Sequence, residues 1–501
     1  MQMAVGALAL SEADNVAVAC RRLVVGEPLA EGVVVNDLIE PGHKVALGTI
    51  NKGAAVLKFG QMIGCATTQI LPGQHVHSHN LAFERGLTPG APQCLPAMAA
   101  DMGHRVFHGY RRATGMSATR NFIGIIASVN CSTTVCRVIA EEANRTLLHE
   151  FPGVDGFVPI VHGQGCGTGG DGEGQKTLHR TIAGYARHPN FGAVLMIGLG
   201  CEVNQLTLYG QKGAGTGRHH FNIQESGGSR HSVKRALAML AELAQEAGRA
   251  RREPISVAEL VVGLQCGGSD GLSGVTANPA LGVAMDMLVA AGGTAILSET
   301  PEIYGAEHLL TARATRPEIA QKLMERIRWW EGYVAAGGAS LDNNPSPGNK
   351  RGGLTTILEK SLGAVAKAGH SPLNGVYGYA ERVSDRGLVF MDTPGYDPVS
   401  ATGQVAGGAN IIAFTTGRGS CFGCRPVPSL KLASNSALYQ SMPDDMDIDC
   451  GAVVSEGKSL DKMGAEIFER IVAIASGQKT HSEEFGYGDN EFVPWQLGVT
   501  L

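Results

Sequence analysis

Hydrophobic and polar positions follow different rhythms along this chain. Through residue 80, short apolar runs are separated by turn signals: Val33-Val34-Val35, then Lys44-Val45-Ala46-Leu47 after Pro41-Gly42, then Ala55-Val56-Leu57 between Gly53 and Gly60. Such spacing predicts a small all-β module. Residues 81–108 are rich in Pro, Gly and Ala with little period, and read as a linker. From 109 to 252, strand-like runs at 122–126, 158–161 and 193–197 alternate with an amphipathic stretch at 138–148 and a helix at 230–252. In that helix Ala236, Leu237, Leu240, Leu243 and Ala244 fall on one stripe. A second series, 253–501, has strand-like runs at 260–264, 294–297 and 411–415 and helical patterns at 281–291 and 354–362. Alternation of this kind predicts an α/β multidomain chain with parallel sheets and crossover helices, its main boundary near 250–257.

Some of these runs end in the same chemistry. The first of them, 158–161, leads into His162-Gly163-Gln164-Gly165-Cys166-Gly167. The run 193–197 leads into Gly198-Leu199-Gly200-Cys201-Glu202, and 260–264 into Gln265-Cys266-Gly267-Gly268-Ser269-Asp270. Open α/β sheets present their chemistry at the carboxyl ends of their strands, so three ends that bring a thiol beside glycines suggest a shared site.

Composition removes whole classes. With 501 residues and 44% hydrophobic side chains, the chain can bury a large core over several domains. Its 69 glycines show no collagen period and sit at the ends of apolar segments, where backbone turns or approaches a ligand. A net charge of −5 without a basic stripe argues against nucleic acid as a partner. No stretch approaches the roughly 18 apolar residues of a membrane span, and no signal peptide opens the chain. A cytoplasmic setting is therefore expected, with the 11 cysteines reduced and some of them ligands. Cys421-Phe422-Gly423-Cys424 is a tight pair, but alone it is a weak sign of zinc.

The strings GHKVAL, GQHVHSHN, GYRRATGMSATRN, GQGCG, HPNFGAVLMIGLGCE, QCGGSDGLSGVTANPALG, NPSPGNKRGGLTTILEKSLG and TGRGS occur in this order. Through them the chain resembles the altronate/galactarate dehydratase family over essentially its whole length. The resemblance implies an N-terminal β-clip module of the SAF type (1–80), a linker (81–108), a first α/β dehydratase domain (109–252) and a Rossmann-like C-terminal α/β domain (253–501). It implies removal of water from an aldonic or aldaric acid to give a 2-keto-3-deoxy acid, dependent on ferrous iron. A homo-oligomer, a dimer in particular, is also expected. Cys421-Phe422-Gly423-Cys424 departs from the family's Thr-Pro-Tyr-Gly segment. A relative that cleaves sulfite from sulfolactate leaves the departing group open.

Such a dehydration takes the proton at C2 and expels the C3 hydroxyl, so it needs a cation for the enediolate, a base and an acid. Cys131, Cys166, Cys201 and Cys266, with Glu202 and Asp270, read as the metal neighbourhood. Buried cysteines behaving as small hydrophobes are the alternative for any one of them. The thiolates suit ferrous iron, another divalent metal or a labile iron–sulfur cluster. His75, His77 and His79 share one strand face, as metal ligands or as a solvated edge. His162 is the first choice for acid or base, against a core histidine, and Asp270 and Lys350 join it as catalytic candidates. Asn349, Lys350 and Arg351, before a helical pattern, make a carboxylate site or a Pro-fixed loop. Ser269 and Arg418 are further substrate contacts. Glu299 and Glu302 are ligands, bases, or ordinary acids at a helix start. A nicotinamide oxidoreductase is disfavoured by the lack of a Gly-x-Gly-x-x-Gly turn with a later acidic residue. A non-catalytic sugar-acid binder would need no thiols at strand ends.

Overall fold

A computed structural model describes residues 2–4, 6–30, 32–83, 104–167, 169, 172–210 and 218–498. The linker expected at 81–108 falls largely on residues 84–103, outside the described ones. In the N-terminal module, strands Gln2–Ala4, Ala7–Ala9, Val16–Ala19, Lys44–Ala46 and His75–Val76 form one antiparallel sheet in that order. Ala55–Lys58, Gln61–Ala66 and Leu81–Ala82 form another. Val16, Val56, Ile63 and Val76 are buried in the same apolar cluster as Leu264, Leu281 and Phe468 far along the chain. The module is therefore seated on the C-terminal region through a shared core, which fixes its polar loops over that region.

The second region is built on β1 (Phe122–Ala127), β2 (Phe157–Ile160), β3 (Phe191–Gly198) and β4 (Arg218–Asn222). They are all parallel, in the order β2-β1-β3-β4. Every residue of β1 is buried, as a strand covered on both faces requires. Helices α1 (Thr133–Thr146) and α3 (Ser229–Ala247) pack on the face carrying Ile123 and Ile125, and α2 (Glu173–Ala186) on the face carrying Phe122 and Ile126. The pattern at 230–252 predicts a helix running past Gly248. The helix stops at Ala247 with Gly248 as its cap, glycine being a poor helix residue.

The third region contains β5 (Val261–Cys266), α4 (Ala277–Ala290), β6 (Thr294–Leu297), α5 (Ile357–Val365), β7 (Leu373–Tyr377), β8 (Gly387–Met391), α6 (Asp397–Gly407), β9 (Ile411–Thr416), β10 (Ser429–Ala433) and β11 (Ile448–Asp449). Its sheet runs β7-β8-β6-β5-β9-β10-β11, all parallel. Numbered from β5 this is 3-4-2-1-5-6-7, whereas the dinucleotide-binding order is 3-2-1-4-5-6; the reversal around the first strand is common to both and the edge differs. Helix α4 starts before the pattern at 281, because Pro279 is tolerated in a first turn. A short helix, Pro347–Arg351, forms inside the stretch read as a loop, since Ser346 and Asn349 make a reciprocal capping box.

Helices α2 and α6 lie between the two parallel sheets, in a core that joins Leu178 and Ile182 to Val405 and Phe414. In both sheets the chain adds its next strands on opposite sides of the first, at β1 and at β5. That reversal opens a crevice at the carboxyl end of each first strand, the usual place for a ligand. Among the described residues, no helix is long and apolar enough to cross a membrane.

Candidate functional site

The crevice at the end of β5 holds a buried set of ionisable groups. Cys266 closes β5 and Glu299 follows β6; Glu302 lies in the next turn. The Cys266 thiol is 3.3 Å from Glu302 Oε2 and 3.6 Å from Glu299 Oε2. Lys367 donates to Glu299 at 2.7 Å, and Lys360, on α5, donates to Glu302 at 2.7 Å and to Asn344 Oδ1 at 2.8 Å. Glu299 has φ of +69°, a left-handed backbone that is costly for glutamate and is held by a 2.9 Å bond from its N–H to Thr393 Oγ1. Its Oε1 is buried with no hydrogen-bond partner.

Charge orders this cluster. Burial, reinforced by Glu299, pushes the Cys266 thiol well up, so it stays protonated. Burial also raises Glu299, against the pull of Lys367. Burial opposes ionisation of Glu302 too, but Lys360 and Lys367 outweigh it and hold that carboxyl below its ordinary value. Asp397, opening α6, is pushed up to about 7 by burial and then by Glu299 and Glu302. A carboxyl poised near neutrality can take and return a proton.

Cys266, Glu299 and Glu302 are a group that could hold a metal ion, with ligand atoms all within 4.8 Å of one another. Distance and donor type suit a divalent ion, and the unpartnered Glu299 Oε1 offers a free lone pair. The two ammonium groups already neutralise both carboxylates, however, so an ion would have to displace Lys360 or Lys367. By charge the cluster is complete as an acid–base set.

Next to it, Asp270 ties the strand-end loops together. Its carboxylate accepts from Ser273 N and Ser273 Oγ at 2.8 Å, from Ser434 Oγ at 2.8 Å and from Asn435 Nδ2 at 3.0 Å. Asn349 donates to Ser269 O at 2.8 Å and so fastens the 344–353 loop to this turn. The Ser269 hydroxyl is buried without a partner. A cavity of about 10 Å³, near the lower limit for one water, is lined by Cys266, Ser269, Asp270, Lys58, Glu359 and Lys360. A sugar acid is far larger, so its admission requires this lining to part.

The N-terminal module supplies part of that lining. Lys44 and Lys58 are fully buried and both reach Glu359 on α5, at 2.9 and 2.8 Å. Burial lowers Lys44 to about 8, against the pull of Glu359. Gly42 of the module wedges against Gly271, where any side chain would collide with the Gly42 carbonyl. Beside it His43, His75, His77 and His79 form a cluster with ring centroids 5.0 to 5.5 Å apart. His43 Nε2–H donates to Arg351 O at 3.1 Å and His77 Nε2–H to Lys350 O at 2.8 Å. His43 Nδ1 then accepts from His75 Nε2 at 2.9 Å.

His75 and His77 are held neutral. Burial, then neighbouring His43, lowers His75 to about 3, and burial, then Lys44, lowers His77 to about 4, from an ordinary 6.5. The unfolded chain therefore binds more protons than the folded one between these values. The stability they contribute is present above pH 6.5 and lost as the pH falls toward 4. The wild-type melting temperature should fall more steeply below pH 6.5 than that of a His75→Gln/His77→Gln variant. Parallel profiles would remove the two histidines from the acid response.

The chain matches the altronate/galactarate dehydratase SAF domain over residues 5–84. It matches the D-galactarate dehydratase/altronate hydrolase second domain over 109–248 and the D-galactarate/altronate dehydratase C-terminal domain over 257–500. Altronate dehydratase of Escherichia coli (strain K12) is 37% identical over 501 residues, covering 97% of this chain and 98% of the relative. The chain belongs to the D-galactarate/altronate dehydratase family. Galactarate dehydratase (L-threo-forming) of the same organism is 35% identical over 494 residues, covering 95% and 94%. The beta subunit of (2R)-sulfolactate sulfo-lyase from Chromohalobacter salexigens is 30% identical over 397 residues, 78% of this chain and 98% of that subunit.

In this family member the residues read from the sequence fall into three places. Cys266, Ser269, Asp270 and Asn349 meet at the end of β5, and Glu299 and Glu302 join them. His77 reaches the same neighbourhood through the carbonyl of Lys350, and His75 through His43 and the carbonyl of Arg351; the Lys350 side chain is half-buried, while Arg351 and Arg418 are exposed. Cys131, Cys166 and Cys201 follow β1, β2 and β3 of the other parallel sheet and are exposed. Glu202, buried beside Cys201 in sequence, spends its carboxylate on Ser128 Oγ at 2.7 Å and Gly200 N at 2.6 Å. His162 is buried, its Nε2 donating to Ala127 O at 3.1 Å and its Nδ1 accepting from Gln164 N at 3.2 Å; burial lowers it to about 4. Lys360, Lys367, Asp397, Glu359, Lys44, Lys58 and His43 are site residues that sequence reasoning missed. The signal was there for one of them: Lys58 lies between Leu57 and Phe59 in an apolar run, where an unpaired charge would be costly.

Proposed function

We propose that the chain is a hydro-lyase that removes water from a hexonic or hexaric acid of the altronate or galactarate type, giving its 2-keto-3-deoxy product. The observation that carries the reading is the buried set of Cys266, Glu299, Glu302, Lys360, Lys367 and Asp397 at the reversal point of a parallel sheet, in a chain of this family. The C2–H bond breaks, its electrons form the C2=C3 bond, and the C3–O bond breaks as the hydroxyl leaves with a proton. The enol then takes a proton at C3 and becomes the ketone. Asp397, near neutrality, suits the proton removed from C2. The ammonium groups of Lys360 and Lys367 suit the charge that builds on the enediolate, in a site closed to water. A divalent ion, which we infer to be ferrous iron, would be held by Cys266, Glu299 and Glu302 in place of one of these ammonium groups, and would supply Lewis-acid stabilisation of the same charge. We also infer a cytoplasmic homo-oligomer; the exposed Trp329–Tyr333 stack on Pro317–Ala336 supports a contact surface.

Lys350 is assigned to the substrate carboxylate, with Arg351 and Arg418 beside it. Lys350→Met keeps the stem and removes the charge. The variant should melt normally and lose about 10- to 150-fold in kcat/KM, the equivalent of a charged hydrogen bond of roughly 1.5–3 kcal/mol. Unchanged kinetics would transfer the role to Arg418. The function itself is tested by loading the protein with ferrous iron under nitrogen and supplying altronate, galactarate, a panel of other sugar acids, and sulfolactate. A 2-keto-3-deoxy acid from a sugar acid supports the reading; release of sulfite alone would move it to the carbon–sulfur lyases, and no product at all would reject both.

A further inference from the structure

The buried cluster at β5 leaves three thiols unexplained. Cys131, Cys166 and Cys201 are exposed, although cysteine is among the most buried residue types, so packing does not account for them. They follow β1, β2 and β3, the three strands that flank the other reversal point. Their loops are fastened to one another beside each thiol. Asn130 N donates to Gln164 O at 2.8 Å, next to Cys131. Gly165, next to Cys166, accepts from Asn204 N at 3.2 Å, and it has φ of +98° with no room for a side chain, which would stand 2.6 Å from Ser128 O. Glu202, next to Cys201, accepts from Ser128 Oγ, and Asn204 Nδ2 donates to Ser128 O at 2.8 Å. Three loops locked in this way hold their cysteines at the carboxyl end of one parallel sheet.

We propose that Cys131, Cys166 and Cys201 bind a four-iron, four-sulfide cluster, a metal centre separate from the Cys266 group. The three thiols do not close around a single ion as they stand. Thiolates around one tetrahedral metal sit about 3.8 Å apart, from metal–sulfur bonds near 2.3 Å. Cys131, Cys166 and Cys201 are not drawn together within 4.8 Å in that way. Three thiolates hold three corners of a cube and leave the fourth iron open to an oxygen ligand, from water or a carboxylate. Gln224 Nε2 lies 3.6 Å from Cys201 Sγ, placed to donate to thiolate or sulfide sulfur.

The test is anaerobic reconstitution of the full chain with ferrous and ferric iron and sulfide, followed by iron and acid-labile sulfide analysis and electron paramagnetic resonance after reduction. Wild type should hold about four sulfides per chain, the content of such a cluster, and about four irons beyond any ferrous ion at the Cys266 group. Cys131→Ala, Cys166→Ala and Cys201→Ala should each lose most of both, with unchanged circular dichroism, while Cys421→Ala, an exposed thiol elsewhere, should keep them. Wild type that binds iron or zinc without labile sulfide overturns the proposal, even if the variants fail to fold. So does full cluster content in a variant lacking all three thiols. Dehydration measured in the same preparations is a separate readout, so loss of the cluster reading leaves the hydro-lyase reading standing.

Discussion

Replacing Glu359 with alanine should cost the folded protein about 3–5 kcal/mol, the range for removing one partner of a buried ion pair. Glu359 is fully buried between Lys44 and Lys58, and burial opposes its ionisation, but the two ammoniums hold its carboxyl far below the usual carboxylate range. Without it, two positive charges remain in an apolar interface, with the Gly353 carbonyl, 2.7 Å from Lys44, as poor compensation. The damage should be directional. Both lysines belong to the N-terminal module and Glu359 to α5, so the module should unseat first. Limited proteolysis should then release it before the C-terminal sheet melts. Converting all three residues to apolar ones of similar size should be much milder, because no buried charge is stranded. A single variant losing less than about 1 kcal/mol would mean that water reaches these groups, and that the seat of the module is looser than the hydrogen bonds imply.

Asp397→Asn should lower kcat by about 100- to 10,000-fold, the span of general acid–base catalysis, without lowering stability. The sign follows from linkage. The folded carboxyl titrates at about 7 and its ordinary value is 3.8, so the folded state binds more protons between these values. Ionisation of Asp397 therefore costs stability as the pH rises through that window. Asparagine cannot ionise, so the variant should melt at or above wild type at pH 7 and above. It should also lose the limb of the pH–rate profile near 7. Reduced activity with reduced stability would make Asp397 a structural support of α6. Unchanged activity would leave the proton transfer to Glu299 or another neighbour.

The strand ends were legible because each is an apolar run followed by polar residues, with glycines beside Cys166, Cys201 and Cys266. That pattern found Cys131, Cys166, Cys201, Cys266 and Asp270. It could not show that the first three belong to one sheet and Cys266 to another, since a run of apolar residues carries no record of its sheet. Alternation put His75, His77 and His79 on one face, and their rings do touch. It missed His43, which enters through the pairing of Val45 with His75, 30 residues away in sequence. Lys360 and Lys367 escaped for the same reason. A buried lysine is recognised only by its carboxylate, and theirs, Glu302 and Glu299, come from a different turn of chain. The strained backbone of Glu299 has no local sequence mark, because nothing in Leu297-Ser298-Glu299-Thr300 asks for a left-handed residue.

The proposed elimination breaks C2–H and C3–O and re-protonates C3. It is tested most directly by running the iron-loaded enzyme on altronate or galactarate in deuterium oxide and reading the product by nuclear magnetic resonance. The expected product is a 2-keto-3-deoxy acid with deuterium introduced at C3 during turnover. A product that carries the original C2 hydrogen at C3, or one that keeps its C3 oxygen, would contradict it.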